Sequence, residues 1–171
     1  MLIEIYTDGA CDKNPGGNGG WAVLFVVDGK EWCGFSNGAH DTTNQRMELI
    51  AAAEALEFYK KKIDEGEFDT FRDVSLYSDS AYLINCVNQH WYVAWQRNGW
   101  RNSKKEPVAN QDLWERLIPF FDTNEVQFKK VKGHNGNHWN ELVDEMAVKE
   151  RIKSKRINDF QKQARECLKS S

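Results

Sequence analysis

Two aspartates follow strand-like runs in matching contexts, YTDG at Asp8 and YSDS at Asp79. Taken alone, Asp8 and Gly9 form one of the commonest turn dipeptides, so a simple turn is the competing interpretation. Open α/β sheets bind ligands beyond the carboxyl ends of adjacent strands, and we expect both side chains to meet there. Two carboxylates held close together repel each other unless a cation lies between them, so the pair predicts a metal site.

Two further acids lie in apolar helical contexts, Glu48 in RMELIAAAEAL and Asp144 in NELVDEMA. Either could instead belong to a solvated helix face, and Asp79 could serve as a helix N-cap. If the four acids converge, their hard oxygen ligands favour Mg²⁺, or alternatively Mn²⁺, over zinc.

The elements that would position these acids can be traced from hydrophobic periodicity. Residues 2–7 predict a strand, and the segments on either side of Asp28-Gly29 predict a β-hairpin. Residues 42–62 predict a helix with Thr42 or Thr43 as N-cap. A strand at 73–79, a short helix begun by Ser80, a further strand beginning near 125 and a helix from 137 complete the pattern, which indicates a mixed α/β sheet.

The chain has 171 residues, 40% of them hydrophobic, which predicts one domain. Its longest apolar run, WAVLFVV, is too short to cross a bilayer, and no basic-then-apolar leader is present, so we expect a soluble cytoplasmic protein without a membrane partner. Four scattered cysteines suggest reduced thiols rather than a zinc site or a disulfide framework. The net charge of −3 argues against a protein that simply coats nucleic acid.

Charge is distributed unevenly along the chain. Residues 149–171 contain eight lysines or arginines against three acids, which leaves residues 1–148 with a net charge of −8. An acidic body can bind a polyanion only through a localised basic patch or through metal ions.

Residues 91–108 form such a patch, since they combine three tryptophans and four basic residues with one acid. Trp91 and Trp95 are four residues apart and would share a helix face, either as anchors on the core or as nucleic-acid contacts. Trp100, beside Gly99 and Arg101, is expected to be the more exposed aromatic side chain. Aromatic faces interleaved with cations suit nucleic-acid bases and backbone.

Together these motifs resemble the ribonuclease H family of the bacterial type I kind. The resemblance covers residues 2–151 and rests on YTDGACDKNPGGNGGWA, TTNQRMELIAAAEAL, YSDSAYL, the tryptophan-rich basic segment, NQDLWERL and VKGHNGNHWNELVDEMA, in family order. It implies a ribonuclease H-like α/β fold with a five-stranded mixed sheet, three antiparallel strands and then two parallel ones, flanked by helices. The predicted organisation is a catalytic domain at 1–151 and a basic, helical C-terminal extension at 152–171.

The resemblance also implies a function, namely hydrolysis of the RNA strand of RNA–DNA hybrids to 5′-phosphate and 3′-hydroxyl ends. Asp8, Glu48, Asp79 and Asp144 correspond to the family's catalytic, metal-binding quartet, and His134 corresponds to a flexible-loop histidine that assists catalysis. Two Mg²⁺ ions would straddle the scissile phosphate, one activating water and the other stabilising the leaving oxygen.

Substrate contacts are implied at further positions. Minor-groove contacts are expected near Cys11, Asn14, Asn44 and Gln45, a DNA-phosphate contact near Thr43 and Asn110, and a DNA-strand contact on the tryptophan-rich segment. The full set of expected nucleic-acid-binding residues is Cys11, Asn14, Thr43, Asn44, Gln45, Trp91, Trp95, Arg97, Trp100, Arg101, Asn110 and Asn140. Asp41 and Ala81 depart from the arginine and the glutamine of bacterial relatives, so weaker or more salt-sensitive binding is expected.

Two alternative interpretations assign the same fold to a different function or a different protein. One is a hybrid-binding module that has lost catalysis, against which the presence of all four acids and His134 argues. The other is the ribonuclease H domain of a reverse transcriptase, against which the early methionine and the complete basic segment argue. The expected partner is an RNA–DNA hybrid, and the expected state is a monomer.

Overall fold

The computed structural model describes residues 1–131 and 137–170. Five strands are found within these residues: β1 (Leu2–Cys11), β2 (Gly17–Val27), β3 (Lys30–Thr42), β4 (Asp73–Ser78) and β5 (Gln127–Lys130). The helices are α1 (Asn44–Asp64), α2 (Ala81–Asn88), α3 (Trp91–Arg97), α4 (Gln111–Leu117) and α5 (His138–Lys169), and a 3-10 turn at Ile118–Phe120 follows α4.

The strands form a single sheet in the order β3-β2-β1-β4-β5. β1, β2 and β3 are antiparallel neighbours, whereas β4 pairs parallel to both β1 and β5. The predicted hairpin turn lies at Asp28 and Gly29, which both adopt positive φ, as a two-residue turn of this kind requires. The predicted mixed sheet, three strands antiparallel and then two parallel, is confirmed.

Helices cover both faces of the sheet. On one face α1 contributes a buried run of alanines and leucines, including Leu49, Ala52 and Leu56, to the larger core with Ile5 and Leu76. On the other face α5 packs Val143 and Ala147 against a smaller cluster that includes Tyr6 and Leu24. β1 and β2 therefore face a helix on both sides, which explains why β2 is apolar along most of its length.

The last helix continues into the C-terminal extension. We predicted a helix from 137 and a basic, helical extension at 152–171, and α5 runs without a break from His138 to Lys169. Asn137 caps it by accepting hydrogen bonds from the backbone nitrogens of Trp139 and Asn140. Ser154 is buried against Gly38 of β3, so the sheet supports the helix up to that residue.

None of the helices in the described part of the chain combines the length and the apolar character that crossing a bilayer requires.

Candidate active site

β1 and β4 bring Asp8 and Asp79 to one place in the sheet. The parallel ladder between these strands ends at the pair Tyr6–Tyr77, and each aspartate follows two residues later. Beyond that point β1 no longer pairs with β4, so the carboxylates can occupy the space that opens between them. This is the convergence that the two matching sequence contexts predicted.

The interpretation of Asp8-Gly9 as a turn is wrong. β1 continues to Cys11 along its other neighbour, with Asp8 opposite Ala22 and Gly9 opposite Trp21 of β2. β1 therefore extends beyond its parallel pairing with β4 and does not end at Asp8. As a consequence the Asp8 carboxylate is held by a rigid strand, and the side chain is only 4% exposed.

Glu48 is placed by the beginning of α1. Thr43 is the N-cap, since its side chain accepts a hydrogen bond from the backbone nitrogen of Arg46 at 3.0 Å, and Glu48 follows in the second turn. The start of α1 lies directly against Gly9, whose missing side chain makes this approach available. Glu48 is buried, and its Oε2 accepts a hydrogen bond from Ser78 Oγ at 3.5 Å.

The carboxylates of Asp8, Glu48 and Asp79 each offer an oxygen within 4.8 Å of the others. Burial, with a further contribution from the Asp79 charge, raises the pKa of Asp8 to about 7. Burial first, and then the charges of Asp8 and Asp79, raise the pKa of Glu48 well above its usual value. Such a cluster is electrostatically unfavourable when ionised without a cation, and an all-carboxylate donor set fits Mg²⁺ or Mn²⁺.

Asp144 approaches the same group from α5. Asp144 is exposed and lies close enough to Asp8 to contribute, less than burial and the Asp79 charge do, to the raised pKa of Asp8. Asn140 lies one turn earlier and is half-buried. The structure thus groups three of the four predicted acids, Asp8, Glu48 and Asp79, and places Asp144 near Asp8, whereas His134 lies outside the described residues.

A polar surface adjoins the carboxylates on the side of the loop between β1 and β2. Asn14 in this loop accepts a hydrogen bond from the backbone nitrogen of Asn44 at 3.3 Å, and the Cys11 thiol donates to the carbonyl oxygen of Lys13 at 3.0 Å. Asn14 and Asn44 are exposed. The loop is therefore fastened to the start of α1, and both predicted minor-groove elements face one surface.

Arg46 connects this surface to α4, and we did not predict a role for it. Its Nη1 donates to Asn110 Oδ1 at 3.2 Å, and its guanidinium forms an ion pair with Asp112 at 2.7 Å. Asn110 in turn donates to Gln45 Oε1 at 3.5 Å. In the sequence this arginine stands in NQRMEL between Gln45 and Glu48, which both had predicted roles. Only the fold shows that it orients Asn110.

The tryptophan-rich segment forms α3 and the turn that follows it. Trp95 is only 8% exposed and packs against Trp100 and Trp114, with ring centroids 6.0 and 5.4 Å away, so it belongs to the core. Trp91 lines an open groove of about 460 Å³. Trp100, expected to be the more exposed aromatic, is half-buried because it packs against Trp95.

The cations of this segment remain in solvent. Arg97 ends α3, and Arg101 lies in a short antiparallel bridge with Pro107. Both arginines are exposed. In this segment the Trp95 ring is therefore buried, whereas the side chains of Arg97 and Arg101 are exposed to solvent.

Comparison with known proteins places this geometry in a family. The family model described as RNase H matches residues 2–152. A ribonuclease H from Syntrophomonas wolfei is 50% identical over 145 residues, covering 85% of this chain and 92% of that protein.

Solved structures share the fold. The crystal structure of LC9-RNase H1, a type 1 RNase H with the type 2 active-site motif, is 25% identical with a TM-score of 0.68, covering 90% of this chain and 73% of that one. LC11-RNase H1 in complex with RNA/DNA hybrid is 19% identical with a TM-score of 0.62, covering 88% of this chain and 97% of that one.

Proposed function

The chain belongs to the ribonuclease H family, and we propose that it is an endonuclease that hydrolyses the RNA strand of RNA–DNA hybrids, leaving 5′-phosphate and 3′-hydroxyl ends. The observation that carries the proposal is the convergence of the Asp8, Glu48 and Asp79 carboxylates within 4.8 Å of one another, at the end of the β1–β4 ladder.

Divalent cations fit this group of residues. Asp8, Glu48, Asp79 and Asp144 would hold two Mg²⁺ ions, for which Mn²⁺ is the alternative. When bound, these ions would supply an activated water and stabilise the charge on the leaving 3′ oxygen. The raised pKa of Asp8 supports the assignment, since a neighbouring dication favours the ionised form that burial alone disfavours.

The protein's own residues fix the geometry of the reaction. Asp8 is held by a strand and Glu48 by a capped helix, so both carboxylates are preorganised before substrate arrives. Asp79 and Asp144 are exposed and reach the cluster from the solvent side, where the scissile phosphate must enter. We assign to His134 a proton transfer during product release, on the basis of the VKGH motif.

RNA would be distinguished from DNA on the polar surface beside the carboxylates. Cys11, Asn14, Asn44 and Gln45 provide short polar groups and backbone atoms suited to a shallow minor groove that displays 2′-hydroxyls. Their placement on one side of the cluster supports the proposal, because the strand they would contact is then the strand that is cut.

The DNA strand would be held next to this surface, toward α4 and α3. Thr43 and Asn110 are assigned to one phosphate, Asn110 being oriented by Arg46. Trp91, Arg97, Trp100 and Arg101 are assigned to the strand beyond it, and Asn140 to the nucleotides next to Asp144. Trp95 supports this surface from the core.

We further propose that the protein acts in the cytoplasm as a monomer. Cys11, Cys33 and Cys86 carry free thiols, as a reducing compartment allows. The three convergent carboxylates, and Asp144 near Asp8, come from one chain, so the candidate site does not need a second copy.

The test uses three labelled substrates: an RNA–DNA hybrid, an RNA duplex and single-stranded RNA. We expect only the hybrid to be cut, only with Mg²⁺ or Mn²⁺, and with 5′-phosphate ends. Asp79→Asn should abolish cleavage while the protein still binds the hybrid. Cutting in EDTA, or wild-type cutting by Asp79→Asn, would contradict the assignment. Binding without any cutting would instead favour a non-catalytic hybrid-binding module.

A further inference from the structure

The C-terminal part of α5 carries a row of cations on the same side as the candidate active site. Counting from Asp144, the basic residues Arg151, Lys155, Lys162 and Lys169 follow at seven, eleven, eighteen and twenty-five positions. Seven residues make close to two turns of an α-helix, so these side chains and Asp144 lie along one face. We refer to these four residues as the basic row.

The basic row runs past the loop that we assign to the RNA strand. Asn158 of α5 donates a hydrogen bond to Asn18 Oδ1 at 3.1 Å, and Asn18 in turn donates to Asp12 in that loop. Arg151 and Lys155 are close enough to Asp12 to act on it electrostatically. The row is therefore fixed in position relative to the surface that would bind the hybrid.

Beyond the sheet the helix is exposed, and the last two cations of the basic row are unpaired in the part of the chain that the structure describes. Every residue from 155 to 170 is exposed. Lys155 has an ion pair with Asp159 at 3.9 Å, while Lys162 and Lys169 have none among residues 1–131 and 137–170. With a rise of 1.5 Å per residue, the row ends about 37 Å from Asp144, a length on the order of one turn of duplex.

We infer that the basic row binds backbone phosphates of the hybrid beyond the cleavage site and so lengthens the contact with substrate. The inference rests on the proposed function and adds to it a preference for long hybrids over short ones. Charge selects this occupant, since the row is cationic, whereas the apolar residues Ile157, Phe160 and Leu168 lie on a different side of the helix.

A matched pair of triple variants tests the inference. Lys155→Gln, Lys162→Gln and Lys169→Gln together remove three charges from the row. Lys149→Gln, Lys153→Gln and Arg156→Gln remove the same charge from other sides of the same helix. All six residues are exposed, so both variants should fold like the wild-type protein.

Binding to hybrids of about 10 and about 24 base pairs is measured by fluorescence anisotropy over a range of salt concentrations, in EDTA. We expect the row variant to lower the salt slope on the long hybrid by about two to three, at roughly 0.9 per lost phosphate contact. It should also lose most of the wild-type preference for the long hybrid. The control variant should change the slope by less than about one.

Two results would overturn the inference. One is an equal effect of both variants, which would assign the difference to net charge. The other is a change in sedimentation of the row variant alone, which would assign the row to contact between copies of the chain. Failure of the proposed function shows separately, as a wild-type protein that neither cuts nor prefers hybrid.

Discussion

Gly9 and Glu48 meet at a contact that leaves no room for a side chain. A Cβ atom placed on Gly9 would lie 2.5 Å from the backbone nitrogen of Glu48 and 2.7 Å from the carbonyl carbon of Met47. The first turns of α1 therefore rest on the backbone of β1, one residue after Asp8. This close approach brings a helical carboxylate beside a strand carboxylate, and it is the physical reason for glycine in YTDG.

Gly9→Ala should consequently damage the site as well as the fold. Backbone atoms cannot yield as a flexible side chain does, so α1 must move away from β1. We expect a loss of about 1–3 kcal/mol in unfolding free energy by urea denaturation. We also expect a fall in kcat/KM for hybrid cleavage of about ten- to a hundred-fold, because Glu48 moves relative to Asp8.

Gly29→Ala is the matched control for that substitution. Gly29 lies in the hairpin turn at φ +77°, with open space where a Cβ would be. It should cost about 1 kcal/mol through backbone strain and leave kcat/KM unchanged. Equal losses of activity in the two variants at equal loss of stability would show that the Gly9 contact has no special bearing on the carboxylates.

Asp8→Asn should stabilise the metal-free protein at alkaline pH. The pKa of Asp8 is raised from its usual 3.8 to about 7 in the folded chain, so between these values the folded state keeps a proton that the unfolded state has released. The free energy of unfolding therefore falls as the pH rises toward 7, and the full cost of ionising the buried Asp8 carboxylate is present at pH 8. Asparagine carries no charge, so the variant avoids this cost.

The measurement is urea denaturation in EDTA at pH 5 and pH 8. We expect Asp8→Asn to gain on the order of 2 to 4 kcal/mol over wild type at pH 8 and clearly less at pH 5. Added Mg²⁺ should stabilise wild type more than the variant. Asp69→Asn, an exposed aspartate before β4, serves as control. A gain that does not depend on pH would contradict a raised pKa at Asp8.

The sheet and the meeting of Asp8 with Asp79 could be predicted from local signals, whereas Glu48 and Asp144 were assigned to the same group through the family resemblance. Aspartates after strand-like runs, helix periodicity and an N-cap at Thr42 or Thr43 can be recognised without the fold. The continuation of β1 through Asp8-Gly9 could not be predicted from the sequence, because it depends on pairing with β2 on one side only. Likewise the Arg46–Asn110 contact joins residues sixty-four positions apart and exists only once α1 and α4 are packed together.

Substitutions of Trp95 and Trp91 should have different effects, because Trp95 belongs to the core and Trp91 lies at the surface. Both were predicted to contact nucleic acid. Trp95→Ala should cost about 3–5 kcal/mol of unfolding free energy because it removes a buried ring in contact with Trp100 and Trp114. Trp91→Ala, at a half-buried position, should cost less. It should instead weaken hybrid binding by about five-fold or more, through one lost stacking surface.

Urea denaturation and anisotropy on the same two variants check this division. Hybrid binding by Trp95→Ala is measured only under conditions where circular dichroism shows it folded. Comparable stability losses for the two variants, with no change in binding for Trp91→Ala, would remove Trp91 from the proposed DNA-strand surface.

Asp41→Asn should tighten binding to the hybrid. Asp41 is exposed, lies two residues before Thr43, and adopts a positive φ of 51° that asparagine tolerates as well as aspartate does. Removing its charge next to the proposed phosphate contact should raise affinity about two- to five-fold at 50 mM salt. The gain should shrink as salt screens the repulsion. Asp69→Asn removes the same charge away from that surface, before the start of β4, and should leave affinity nearly unchanged; a gain of equal size there would assign the effect to net charge rather than to the position of Asp41.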